Sequence, residues 1–235
     1  MTKAVAGDRE RTEKRMRTLL AVVALTATAG FAQDVVKVAP ELVKVLVDND
    51  QVRVLRFTEA GHVKVPMHSH PAYVSVGFTN DDFKYTFADG KSSEEKTKAG
   101  AVAYSKAVTH ASENLSSATT ESILVELKGH PAAAAMKSIM DPVKVDPKHY
   151  SVVLENDRVR VLRAKYGPHE KSVMHEHPNA VAVFMTDAHF KFTMADGTSQ
   201  DSAVKARDAN FTPAGKHLPE NLTDKPMEAI VIELK

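Results

Sequence analysis

Cysteine and tryptophan are both absent from this 235-residue chain. Without thiols no disulfide can staple it, so stability has to come from buried apolar surface in any redox compartment. Only 6% of the residues are aromatic, which leaves few stacking platforms for bases or sugars. Neither sign of charge dominates, with 31 basic residues against 30 acidic. No basic run follows residue 33, which argues against a nucleic-acid partner. Long hydrophobic runs are lacking too. The apolar stretch Leu19–Ala32 is shorter than the roughly 20 residues of a membrane span, so no membrane association is expected of the mature form.

That stretch reads instead as a leader. Lys14, Arg15 and Arg17 precede it and small residues end it, the order of a basic and then an apolar region before a cleavage site. Residues 1–32 are therefore expected to be a signal peptide, with translation starting at Met1 or Met16, and the product to be periplasmic or secreted.

What dominates the rest is a repeat. Residues 34–128 laid on 141–235 at a constant offset of 107 are identical at 41 of 95 positions, without a gap. Met67-His-Ser-His-Pro71 returns as Met174-His-Glu-His-Pro178, and the Val-Arg-Val-Leu-Arg run at 52–56 returns at 159–163. Such a period is too long for a solenoid and fits two whole domains. These are 33–128 and 141–235, each large enough to bury a core. A linker at 129–140 joins them, and Pro131–Met140 within it reads as a helix.

Inside each copy the apolar period is 2. Phe83, Tyr85 and Phe87 alternate with polar residues up to Asp89-Gly90, and Phe190, Phe192 and Met194 do so up to Asp196-Gly197. Alternation ending in Asp-Gly predicts hairpins with primed turns. Many short strands of this kind predict an all-β sandwich or barrel.

On a strand, residues i and i+2 share a face, so His68 and His70 point one way, as do His175 and His177. His110 and His217 follow at the same interval in each copy. Three imidazoles at matched spacing predict two metal sites, His68/His70/His110 and His175/His177/His217. The alternation is read as continuing inward through Val74, Val76 and Phe78, and through Val181, Val183 and Met185. Glu113 and Glu220, three residues after the last histidine of each set, could orient a ligand or act as general base, or simply face solvent on a loop.

These motifs resemble the cupin superfamily. Its first motif has His-x-His, then a glutamate and a glycine; its second has Pro-x-Gly, a histidine and an asparagine. His68-x-His70 and His175-x-His177 match the first. His110 with Asn114 and His217 with Asn221 match the end of the second, and copy two keeps Pro213-Ala-Gly215. The resemblance implies a bicupin, two tandem double-stranded β-helix (jelly-roll) barrels. The glutamate slot holds Val74 and Val181, flanked by Ser75 and Ala182, so each site has three histidines and no carboxylate. That is similar to the cysteine dioxygenase-type and diketone-cleaving members, whose iron is held by three histidines. His62 and His169 stand where the motif has its first glycine and are read as loop residues.

Three neutral imidazoles suit a divalent transition metal (Fe, Zn, Mn, Cu or Ni) and leave positions open for a small molecule. Two functions stay open. One is a metal-dependent enzyme, an oxygenase or a lyase/isomerase, acting on a small molecule. The other is a non-catalytic module that binds a small ligand or metal.

Overall fold

The computed structural model describes residues 33–129 and 140–235. The leader reading and nearly all of the expected linker helix lie outside them. Among the described residues no helix is long and apolar enough to cross a membrane.

Copy one contains β1 (Gln33–Asp34), β2 (Val43–Asp48), β3 (Val52–Glu59), β4 (Lys64–His70), β5 (Tyr73–Gly77), β6 (Asp81–Phe87), β7 (Ser92–Thr97), β8 (Val102–Ser105), β9 (Val108–Asn114) and β10 (Thr120–Leu127). They form two five-stranded sheets, in the orders β1-β4-β9-β6-β7 and β2-β3-β10-β5-β8. Copy two repeats the plan with β11 (Tyr150–Glu155), β12 (Val159–Tyr166), β13 (His175–His177), β14 (Ala180–Phe184), β15 (Ala188–Met194), β16 (Ser199–Val204), β17 (Ala209–Thr212), β18 (Gly215–Asn221) and β19 (Met227–Leu234). Its sheets run β11-β12-β19-β14-β17 and β13-β18-β15-β16. The architecture is all-β, two jelly rolls whose strands pair only within their own copy.

The chemistry of β3 shows why the two rolls pack together. Val52 and Val54 are fully buried on one face, while Arg53, Leu55, Phe57 and Glu59 alternate with them on the other. The valine face does not line a barrel. Val54, Val76, Ile123 and Val125 pack in one apolar cluster with Val161, Val183, Ile230 and Ile232 of the second copy, all of them fully buried. Around this layer the Arg163 guanidinium donates to the Gly100 carbonyl (2.7 Å), Asn179 donates to Gln51 (3.0 Å) and Arg207 pairs with Glu121 (2.6 Å).

Two local expectations are corrected. Val74 and Val76, and Val181 and Val183, were expected to continue the inward face of the histidines, but they belong to the layer between the copies. The reason is topological: β4 and β5 lie in different sheets, and the bend at Pro71-Ala72 resets the alternation. The inward residues after His70 are Tyr73, Ser75 and Gly77. The Asp-Gly hairpins form as expected, but not with primed turns. Gly90 and Gly197 have φ of 82° and 84°, whereas Asp89 and Asp196 are not in the left-handed region. Gly90 N–H donates to the Phe87 carbonyl and Phe87 N–H to that of Lys91. This is a three-residue loop, a type I turn followed by a left-handed glycine.

Asn114 and Asn221, fully buried, tie the end of the third ligand strand to the loops beside it. The Asn114 amide donates to the carbonyls of Glu59, Ala60 and Ala118, and Asn221 donates to those of Gly167 and Lys225. His62 and His169 are exposed, with φ of 63° and 54°. The position where the motif has its first glycine is thus a left-handed backbone position in this chain, and the two histidines fill it as loop residues.

The shared apolar layer makes a prediction. Ile123→Ala and Ile230→Ala, at equivalent positions, should each cost about 2–5 kcal/mol, and each should lower a single unfolding transition of the whole 33–235 unit. Calorimetry showing two separate transitions, with each variant moving only its own, would contradict it.

Candidate metal centres

β4 and β9 are antiparallel neighbours with His68 opposite His110, and β13 and β18 place His175 opposite His217. The register, together with the period of 2, therefore gathers three imidazoles at one end of each barrel. His68, His70 and His110 are 2%, 4% and 6% exposed, and one ring nitrogen from each lies within 4.8 Å of the others. His175, His177 and His217 form the same group. The rings stand edge-on to one another except His177 and His217, which are tilted at 47°, with centroids 4.8–5.6 Å apart in the first group and 4.9–5.3 Å in the second. Shifts of about an ångström or less would bring three such nitrogens to the ~2.1 Å of a metal–imidazole bond.

Which nitrogen faces the centre is fixed from behind. His68 Nδ1 donates to the Pro66 carbonyl (2.7 Å) and His175 Nδ1 to that of Val173 (2.8 Å). His70 Nδ1 donates to Glu126 Oε1 and His177 Nδ1 to Glu233 Oε1, both at 2.7 Å. With Nδ1 protonated and occupied, Nε2 carries the lone pair that a metal needs. His175 Nε2 is buried with no hydrogen-bond partner. An orphaned acceptor among two other imidazoles fits a bound cation and is otherwise a costly vacancy.

The carboxylates are held in turn. Arg53 Nε donates to Glu126 (2.6 Å), and its Nη1 reaches Asp34. In copy two Arg160 donates to Glu233 (2.5 Å) and to Asp141 (2.9 Å). Burial would raise the Glu233 carboxyl, but hydrogen bonds from His177 and Arg160 outweigh it and hold the group below its usual range. Sequence reading missed all six residues of these chains. The signal was present, because Asp34/Asp141, Arg53/Arg160 and Glu126/Glu233 are identical between the copies. An arginine in a strand-like run reads as a solvated face until the fold turns it inward.

Glu113 and Glu220 are not brought to the metal groups. On β9 the even positions His110 and Ser112 face the cavity, so Glu113 points away and pairs with Lys64 (3.2 Å). Glu220 lies beside Lys171 (3.8 Å) in the same way.

Behind the second triad the copies differ. His149 is buried between Asp146 (2.7 Å) and Glu170 (3.0 Å) and stacks on Tyr166 with centroids 4.3 Å apart. Ser172 joins Asp146 to the His175 ring. Copy one has Leu42, Ala39, Val63 and Val65 at the equivalent positions of His149, Asp146, Glu170 and Ser172. A charged network thus stands where copy one has an apolar cluster.

The cavities beside the triads differ as well. That of the first barrel is about 470 Å³, lined by His68, His70 and His110 with Glu59, Tyr73 and Tyr85 among others. That of the second is about 270 Å³ and mostly apolar, with Phe184, Phe190 and Phe192 in its wall.

No family model and no curated protein matches the chain. Solved structures do. It is similar to a variant of oxalate decarboxylase from Bacillus subtilis, with 12% identity, 82% of this chain and 72% of that one covered, and a TM-score of 0.60. It is also similar to AerE from Microcystis aeruginosa, with 10% identity, 82% and 91% covered, and a TM-score of 0.58. These likenesses bear on the fold, which is that of a tandem cupin.

Burial favours the neutral form of His68, His110, His175 and His217. It pushes His110 down to about 3, with His68 and His70 adding to the shift. His217 also falls to about 3, and His175 to about 4, for the same causes. The unfolded chain takes up these protons as pH falls through about 6.5, and the folded chain does not, so acid favours unfolding. Glu59, pushed up to about 7 by burial and by Asp81, works the other way, but it is one group against several. The melting temperature of metal-free protein should therefore fall steadily from pH 6.5 to pH 4, and His110→Asn with His217→Asn should flatten that slope. An unchanged slope in the double variant would show that the imidazoles do not set it.

Proposed function

We propose that the protein is a metal-dependent bicupin that binds a divalent transition metal in each barrel and acts on a small molecule in the cavity beside it. One observation carries the reading: in each barrel one ring nitrogen from each of three histidines lies within 4.8 Å of the others, with Nδ1 of His68, His70, His175 and His177 already committed to acceptors. A bound divalent ion would supply Lewis acidity and open coordination positions. His68, His70 and His110 would hold it in the first barrel, and His175, His177 and His217 in the second. Glu126 and Glu233 would keep the rings oriented and basic. Around a bound ion the chain's own residues would limit access of bulk water, since every one of the six histidines but His217 is buried.

Solved work on the Bacillus subtilis decarboxylase describes Mn(II) centres, which supports a divalent ion in this fold without fixing its identity here. Its substrate is not carried over. No lysine or arginine is among the described residues that line the first cavity, while Glu59, Asp81 and Glu95 are, so an oxalate dianion would meet repulsion. The apolar second cavity favours a second reading for that barrel alone, a binding or supporting module. Export of the product, read from residues 14–32, is part of the same proposal.

Purified protein stripped with chelator and titrated with zinc or manganese should take up two ions per chain and gain melting temperature as the free metal rises. His70→Ala or His177→Ala should lower the stoichiometry to one. Glu126→Gln or Glu233→Gln should keep the site but weaken it about 10–100-fold. Wild-type protein that binds no metal, or a triad variant that binds as wild type, would overturn the reading.

A further inference from the structure

The two barrels share a plan, so the differences between their cavities report on what the fold does not require. Glu59, Asp81 and Glu95 line the first cavity. At the same offset copy two has Tyr166, Ala188 and Ser202. The second barrel folds with none of the three acids, so they are not there for the jelly roll.

Glu59 is the most telling of them. It is 7% exposed and faces the cavity from β3. Its backbone carbonyl is hydrogen-bonded, but its carboxylate makes no hydrogen bond or ion pair with any described residue. Burial pushes this group up, and the Asp81 charge adds to the shift. Asp81 is itself fixed by Thr97, which donates to it from its backbone N–H at 3.1 Å. A buried carboxylate with a second one beside it either takes up a proton or needs a cation to stay charged. The protein supplies none, because the described lining contains no lysine or arginine. It does supply aromatic faces: Tyr73 packs against His70 and Tyr85 stacks on His110, with centroids 5.4 and 5.1 Å apart, and Phe57 and Phe83 complete the wall. Carboxylates combined with aromatic faces are the surroundings that favour an organic cation.

We propose that the first-barrel cavity is the site of an organic cation, a protonated amine whose charge is met by Glu59 and Asp81 and whose carbon frame lies against Tyr73 and Tyr85. The second-barrel cavity, with Tyr166 and Ala188 in place of the acids, does not take it. The inference rests on the small-molecule reading above and names the substrate class for one barrel. At 470 Å³ the cavity has room for a ligand of about ten heavy atoms beside the metal.

The test uses three probes of matched shape, benzylamine, benzyl alcohol and benzoate, titrated calorimetrically at pH 7 into zinc-loaded and into chelator-treated protein. Benzylamine is expected to bind at one site per chain, and benzoate not to bind at that site. Glu59→Gln, which keeps the shape and removes the charge, should weaken benzylamine at least tenfold, and Asp81→Asn should do so to a similar degree. Circular dichroism and zinc stoichiometry show whether either variant is folded. Benzoate binding as tightly as the amine, two equal amine sites per chain, no amine binding, or a folded Glu59→Gln protein with unchanged affinity would each overturn the proposal. If zinc fails to load, the metal reading fails, and the amine titration of the chelator-treated protein still decides this one. If zinc loads at two per chain and the amine does not bind, the metal reading stands and this inference falls.

Discussion

A histidine on a strand presents a lone pair to an ion only while its other nitrogen is held, and here the holding is done across the barrel. His70 lies on β4 in one sheet and Glu126 on β10 in the other, so their 2.7 Å hydrogen bond spans the gap between the sheets. The Asp34–Arg53 pair spans it too, from β1 to β3. The chain Asp34–Arg53–Glu126–His70 is therefore a stitch between sheets and an aiming device for one imidazole. Its terminal aspartate also caps the short helix Val35–Val38. Copy two builds the same stitch from Asp141, Arg160, Glu233 and His177. Buried ion pairs seldom add net stability over a well-packed apolar alternative. Their presence twice, at the metal end of each barrel, is better explained by orientation than by folding energy.

Packing the two rolls through their valine faces has a consequence for the sites. The strands β3, β5 and β10 are buried on both faces, one against the other copy and one against their own cavity. A strand clamped in this way cannot shift register by one residue without exposing valines and driving a glutamate into the layer between the copies. The positions of Glu126 and Glu233 behind the histidines are thus set partly by contacts with the other copy. The packing of the two rolls against each other thus supports both histidine groups mechanically even though their cavities differ.

Much of this was legible in the sequence. The gap-free repeat and the period of 2 pointed to two all-β domains and the His-x-His pairs to six histidines, because a strand shows its face pattern in its own residues; the jelly roll was what the cupin resemblance implied. The parts that were not legible depend on pairs far apart in the chain. Val74 and Val76 alternate in phase with His68 and His70, and only the change of sheet at Pro71-Ala72 shows that they face outward. Arg53 and Glu126 are 73 residues apart, and nothing local tells a strand arginine in a barrel from one on a surface. Asp89-Gly90 looks the same in a primed turn as in the three-residue loop that forms. Glu113 and Glu220 attracted notice by proximity in sequence to His110 and His217, yet an odd spacing on a strand places them on the opposite face. Identity between the copies was the better guide, since it picked out Asp34, Arg53 and Glu126 together.

The same comparison read in reverse separates scaffold from chemistry. Where the copies agree, the residues build strands, loops and the orienting chains: Asn114 with Asn221, Arg53 with Arg160, Glu126 with Glu233. Where they disagree inside the barrels, each copy has spent polar groups differently. Copy one puts its unpaired carboxylate, Glu59, into the cavity in front of the metal group. Copy two puts its charged network, Asp146, His149 and Glu170, behind it and leaves the cavity wall apolar. A polar group behind a ligand can tune only how that ligand is held, whereas one in front of it meets whatever enters. Two barrels with matching histidines thus place their remaining charge oppositely, the first toward its cavity and the second behind its histidines.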